Sequence, residues 1–323
     1  MGPFFIYDFR MQEGEGDLVF SPQYLYIRGR QLEGTFPGDR WTGSWAVTTE
    51  RIMHGWGSVP EEFWPYDTSV WPPVEPPGLD LIAKKYRLNT HYRRVRSVAE
   101  CRAVLVHMPV IAAVTITDGW RDALQGRIPQ LQDDPFVPTG SHSVLLVGYD
   151  DPKSKFKFQN SWGIEWGDKG FGYLPYDVFT ETCIESWTQL SGGDAKWSQP
   201  KSGVAFRSWG IRDFAGEVIH GHEIMEPGEE RIAWAYAVEH EDCIEVEELF
   251  VMPQFRRHRY GRALAQAMGT VASRKAVPIK FWISHADAMP GNLAVIEKLI
   301  HPLGLQLERS PERWASYVCA KPS

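Results

Sequence analysis

The sequence lacks paired cysteines. Its four, Cys101, Cys183, Cys243 and Cys319, are scattered with no CxxC spacing. That argues against a zinc site or a dense disulfide framework and favours a reducing compartment. Excess basic charge is also missing. A net charge of −7 gives no bulk attraction to nucleic acid or anionic membrane. No apolar run approaches the ~20 residues of a membrane span. The opening MGPFFIYDFRMQEGEGD has neither the basic start nor the long apolar centre of a signal peptide. These absences lead to an expectation of a cytoplasmic protein with no nucleic-acid and no membrane partner. Internal repeats and low-complexity tracts are absent too.

A chain of 323 residues is long for one core and suggests two domains. Tryptophan is abundant, with 14 residues concentrated between Trp41 and Trp209. Composition shifts after Leu190, where SGGDAKWSQPKSG reads as a polar linker. The expected organisation is a first domain over 1–190, a linker over 191–203 and a second domain over 204–323.

In the first part, Gly2 to Glu13 reads as a short amphipathic helix. FSPQYLYIRGR has a Ser-Pro helix start, and WAVTTERIMHGWG is a helix closed by glycine. Residues 60–77 are proline-dense and read as an ordered irregular loop. SVAECRAVLVHM is a helix, PVIAAVTIT a buried strand, and SVLLVGYDD and FKFQNSW are strands joined by DPKSK. YLPYDVFTE is expected to end the unit. In the second part, EVIHGHEIM, RIAWAYAVEH and CIEVEELFV read as a three-strand meander. A basic loop, FRRHRYGR, opens the helix ALAQAMGTVASRK. Then follow strand PIKFWISH, a helix opened by Asn292, and strand RWASYVCA.

Several stretches carry chemistry. GSHSVLLVGYDD supplies a histidine, and FQNSWGIEWGDKGFGYLPY supplies an asparagine followed by Ser-Trp-Gly. With FSPQYLY and GSWAVTTERIMHGWG before EEFWPYD, residues 2–179 resemble the papain-like cysteine peptidases (C1 family, bacterial short-loop kind). The resemblance implies a papain-like α+β fold and a peptide or protein substrate. His142 would be the general base, Asn160 would orient it, and Trp162 would cover the bond between them. The expected nucleophile is missing. GSWAV at Gly43–Val47 looks like the family's Gly-Ser-Cys-Trp-Ala without its cysteine, but it follows SPQ and so takes the place of the Gly-Gly helix. By the family's spacing the cysteine falls just before Met1, and the fold is expected to be truncated at its N-terminus. Cys101 and Cys183 read as bland buried or surface thiols. Two explanations stand: a start assigned too late, or a peptidase domain that has lost its nucleophile. The first is favoured, because losing a helix's first turns exposes core. As written, the chain is expected not to cleave peptides.

The second part holds a phosphate cradle. A basic loop feeding a helix start presents free N–H groups and a positive dipole end. Arg256, Arg257, Arg259 and Arg262 add charge to it. The segment resembles the acyl-CoA motif of the GNAT N-acetyltransferases, Arg/Gln-x-x-Gly-x-Gly/Ala, with Arg256 first and Gly261 last. Arg259 stands where the family has a glycine. The resemblance covers residues 204–319 and implies an α/β acyltransferase fold, acetyl-CoA as acyl donor and an amine acceptor. Val251 would hold the pantetheine through its main chain. The N–H groups of Arg257, His258, Arg259, Tyr260, Gly261, Arg262 and Ala263 would hold the pyrophosphate. Asn292 opens the family's asparagine helix, and Leu299 takes the place of its tyrosine. The family's first two helices look shortened or absent. Glu247 and Glu248 are the candidate bases, and strand alternation sends them to opposite faces.

The sequence therefore reads as a peptidase/GNAT fusion whose chemistry, as written, is acyl transfer. The alternatives are a full-length cysteine peptidase with a CoA-binding regulatory domain, and a non-catalytic peptide-binding adaptor.

Overall fold

Ser21 opens the first described helix. In the computed structural model its Oγ accepts the Tyr24 N–H at 3.0 Å, and Pro22 follows where an N–H would lack a partner. The structure describes residues 19–129, 137–190, 204–228, 230–284, 286–287, 292–301, 307–308 and 317–319. The expected Gly2–Glu13 helix and the linker 191–203 lie outside them. The chain divides into two compact units, Met1–Gln189 and Leu190–Ser323.

Unit 1 begins with helices α1 (Pro22–Leu32) and α2 (Ala46–Gly55) and a short α3 (Leu79–Ala83). The α2 helix ends where Gly57, at φ 97°, supplies the left-handed backbone a helix terminus needs. Every residue of α2 is buried, including Glu50, Arg51 and His54. Around these helices Tyr24, Leu25, Ile27, Ile52, Met53 and Trp64 form one core. The second layer is a sheet with order β1-β6-β2-β3-β4-β5. Its strands are β1 (His91–Arg94), β2 (Val110–Ile116), β3 (Gly140–Asp150), β4 (Lys155–Gln159), β5 (Phe171–Pro175) and β6 (Cys183–Leu190). Helix α4 (Val98–Leu105) precedes β2, and α5 (Tyr176–Thr182) leads into β6. The unit does not end with α5, as the sequence suggested. β6 follows it and enters the sheet between β1 and β2. Gly172 lets two aromatic layers meet, since a Cβ there would stand 2.2 Å from the Phe158 ring and 2.8 Å from Trp166.

Unit 2 is a second sheet, ordered β12-β13-β11-β10-β9-β8-β7. The meander has four strands rather than three: β7 (Ala205–Arg212), β8 (Val218–Glu226), β9 (Glu230–Glu239) and β10 (Ile244–Val251). Strand β7 runs directly into β8 through the turn at Asp213–Gly216, with no helix between them. Helix α6 (Tyr260–Lys275) crosses to β11 (Ile279–Ile283), which joins β10 in parallel. Helix α7 (Asn292–Ile300) and strands β12 (Leu307–Glu308) and β13 (Tyr317–Cys319) follow. The core under α6 joins Ala233, Ala235, Val246, Leu264, Met268 and Phe281. Among the described residues no helix is long and apolar enough to cross a membrane.

Candidate active sites

His142 lies on β3 opposite Val114 of β2. Asn160 follows β4, which pairs with β3, so the sheet itself brings the two side chains together. The His142 Nε2–H donates to Asn160 Oδ1 at 2.8 Å. The same Oδ1 accepts the Ser161 N–H at 2.8 Å, which fixes the amide oxygen on that side and the proton on Nε2. Nδ1 is left with its lone pair. Trp162 lies over the histidine ring, with centroids 4.8 Å apart and planes at 31°. Burial lowers the imidazole pKa, because the charged form loses solvation; the Asn160 bond opposes this. The ring is therefore held by an amide on one side and covered by an indole.

His142 lines a cavity of about 300 Å³. Gln23 and Tyr26 of α1, Trp41, Trp45 and Trp71 line it as well. No described cysteine serves His142. Cys101 is fully buried on α4, and burial pushes its thiol well up. Cys183 on β6 is likewise pushed up, to about 12, by desolvation. Burial thus disfavours the nucleophilic thiolate at both.

In unit 2, β10 pairs with β11 only over Ile244, Glu245 and Val246. Beyond that point β10 keeps its β9 partner as far as Val251↔Ala233, while β11 pairs with β13. The two strands part: among the described residues no β10–β11 pairing continues beyond Val246. At the same place the β10–β9 register shifts: Val246 faces Ala237, Glu248 faces Tyr236, and Glu247 is the extra residue of a bulge. This overturns the expectation that Glu247 and Glu248 point to opposite faces. Val246 and Leu249, on either side of them, both pack toward α6. Both glutamates therefore belong to the other face, with Tyr236 and Phe250. Both are buried, at 3% and 2% exposure, so neither is a surface carboxylate.

The basic loop stands beyond the end of β10. Arg256, Arg257, His258, Arg259 and Arg262 are exposed. Arg256 Nε donates to the Val251 carbonyl at 3.3 Å. The His258 ring stacks on Tyr260 at 5.6 Å and 18°. Arg259 adopts the left-handed φ of 65° of a glycine, and Arg257 does the same at 71°. Arg259 thus has the backbone shape expected of a glycine at this place in the motif, a point its letter did not reveal. Tyr260, Gly261 and Arg262 start α6, and their N–H groups have no carbonyl within the helix. Gly261 is buried, and a Cβ there would lie 3.4 Å from Leu299 and 3.6 Å from Val251. Helix α7 does begin at Asn292.

The comparisons agree with the first unit's geometry. The family model "Papain family cysteine protease" matches residues 78–188. An uncharacterized peptidase C1-like protein, L477 of Acanthamoeba polyphaga mimivirus, is 24% identical over 188 residues, covering 54% of this chain and 59% of that protein. The chain thus spans under two thirds of that relative's length. Among solved structures, xylellain, a cysteine protease from Xylella fastidiosa, is 25% identical, covering 57% of this chain and 75% of its own at a TM-score of 0.50. PaiA N-acetyltransferase from Thermoplasma acidophilum, in complex with coenzyme A, is 11% identical over 32% of this chain and 61% of its own, with a TM-score of 0.27. A likeness at that level carries no weight for activity. The chain carries a papain-like peptidase domain of the C1 type.

Proposed function

We propose that this papain-like domain binds an extended peptide beside His142, with the His142–Asn160 pair as base and orienting group. The 2.8 Å Nε2–Oδ1 bond, which leaves Nδ1 unprotonated, carries the reading. A thiol placed at Nδ1 would pass its proton to the ring and attack the peptide carbonyl; the ring would then return the proton to the leaving amine. None of the described cysteines offers that thiol. The 323-residue chain is expected to bind an N-acetylated peptide amide without releasing product, as followed by calorimetry and mass spectrometry. Hydrolysis abolished by a thiol alkylator would overturn the non-hydrolytic half of this reading, and absent binding would overturn the rest.

A second reading concerns unit 2, where the parted β10 and β11 strands lead to the α6 loop. Unit 2 transfers an acyl group from acyl-CoA to an amine. Val251 and the loop from Arg256 to Ala263 hold the donor, and Glu247 or Glu248 takes the amine proton, directly or through a water. The amine nitrogen bonds to the thioester carbonyl carbon, the carbon–sulfur bond breaks, and CoA leaves as its thiolate, which takes up a proton. Acetyl-CoA is expected to bind the whole chain, and Arg257→Glu to weaken it ~10-fold or more by reversing an exposed charge at the helix start. Arg259→Gly is expected to stabilise unit 2 by about 1 kcal/mol through relief of its left-handed backbone. Calorimetry and thermal melts read both; no binding to the unaltered chain ends this reading.

A further inference from the structure

The wall of the His142 cavity includes Gly43, Ser44 and Trp45, a stretch with no regular structure of its own. Its shape is imposed from outside. Glu33, at the C-terminal cap of α1, accepts the Ser44 Oγ–H and the Trp45 N–H, both at 2.9 Å. Glu185, from β6, accepts the Ala46 N–H at 2.6 Å and the Val47 N–H as well. These N–H groups belong to the start of α2, where no helical carbonyl reaches them, and Trp45 has no side chain able to cap. Two carboxyl groups remote in sequence thus do the work of a local Ser or Asp.

The sheet sets Glu185 in place through a bulge. Ala113 pairs with Glu185 and Val114 with Cys183, so Ile184 is the extra residue. Ile184 lines the cavity, while Glu185, 5% exposed, runs to the helix start. Arg51, 4% exposed, lies near enough to both carboxyls to favour their charged forms against the desolvation that opposes it. Helix α1 makes the remaining contact. A Cβ on Gly29 would stand 2.5 Å from Ser44 Oγ and 3.2 Å from its Cβ, so a side chain at position 29 would have to displace Ser44 from its present place.

We infer that Glu33 and Glu185 are positioning residues for the peptide cleft, fixing the Gly43–Trp45 wall without touching the peptide themselves. This rests on the peptide reading of unit 1. Loss of either carboxyl frees the first turn of α2 and lets the wall drift, and a peptide laid along it loses its partner surface.

The test uses the whole chain, the probe N-acetyl-Val-Phe-Gly-amide, and a temperature well below the melting point of the least stable variant. Glu185→Leu is expected to weaken binding ~10-fold or more, whereas Glu185→Gln, which keeps an acceptor oxygen, stays within ~2-fold of the parent. Gly29→Ala, which alters no carboxyl, is expected to weaken binding by displacing Ser44. Hydrogen exchange at Trp45, Ala46 and Val47 should quicken in the Leu variant, with β3 unchanged. Equal affinity in the Leu variant and the parent, or equal loss in the Leu and Gln variants, overturns the inference. If the parent binds no probe, the peptide reading fails. The exchange arm then decides alone: faster exchange confined to the wall supports positioning, and unchanged exchange refutes it.

Discussion

Replacing Arg30 with methionine is expected to cost unit 1 about 4 kcal/mol, a shift of roughly 10 °C in melting temperature. The side chain is fully buried. Its Nε donates to Thr35 Oγ1 at 2.9 Å. Nη1 reaches the Tyr26 hydroxyl at 2.9 Å and the Asp39 and Thr42 carbonyls at 2.8 and 3.3 Å. Nη2 reaches the Thr35 and Pro37 carbonyls at 2.6 and 3.3 Å. The rings of Tyr26 and Trp71 lie 5.6 and 5.5 Å from the guanidinium carbon. Carbonyl dipoles and ring faces, rather than a carboxylate, thus meet the charge. Methionine fills much of the volume but strands the acceptors, and buried acceptors without donors are what make such changes severe. Lysine should recover only part of the loss, since three donors on one nitrogen cannot span the planar fork. Denaturant unfolding of Arg30→Met and Arg30→Lys measures both. A loss under ~1 kcal/mol in the methionine variant would show that the loop over 35–42 holds itself.

Unit 1 is expected to lose stability as pH rises, and Glu50 is the chief reason. Its carboxyl is enclosed within α2, where desolvation and the nearby Glu185 charge push its pKa up from 4.5 to about 8. The Gln189 amide donates to Oε2 at 2.5 Å, while Oε1 meets no donor among the described residues. The folded state therefore keeps a proton that the unfolded chain releases. Below about pH 4.5 both states hold it, and the stability is full. Between about 4.5 and 8 only the folded state does, so stability falls; above 8 the fall is complete. The loss is on the order of 4 kcal/mol. Burial raises the Glu33 and Glu185 carboxyls too, which adds to the same trend. Glu50→Gln should flatten most of this slope. It should be slightly weaker than the parent at pH 5, where its amide N–H₂ lacks an acceptor, and stronger at pH 8.5. Parallel pH profiles for parent and variant would show that Glu50 is ionised in the folded protein.

How far the sequence announced these features depended on whether the cause was local. The start of α1 and the end of α2 were legible, because Ser21, Pro22 and Gly57 act on their own neighbours. His142, Asn160 and Trp162 were legible as a motif, and the β3–β4 pairing brings them together. Strand β6 was not. Its Glu185, Ser186, Thr188 and Gln189 are all buried against distant partners, so the polar and apolar letters do not alternate with its faces. Strand β7 does alternate between half-buried and exposed residues, but it lay beside a polar stretch that drew the eye to a linker. The bulge at Glu247 left no mark at all. A register shift is settled by the partner strand, and two adjacent glutamates read as plain alternation. The remote carboxyls at the start of α2 were equally hidden, since Glu33 and Glu185 lie far from each other and from a local cap.

The parting of β10 and β11 also bears on how unit 2 assembles. Strands β7 to β10 follow one another as hairpins, so each ladder closes over a short turn. Strand β11 reaches β10 only after the chain has run through α6, and it gains a parallel ladder of just Ile244, Glu245 and Val246 in return. Chain entropy must be given up before so short a ladder can form. The meander is then expected to form first, with β11 docking onto it later. The junction between the two strands is then expected to exchange its amide protons faster than the meander does.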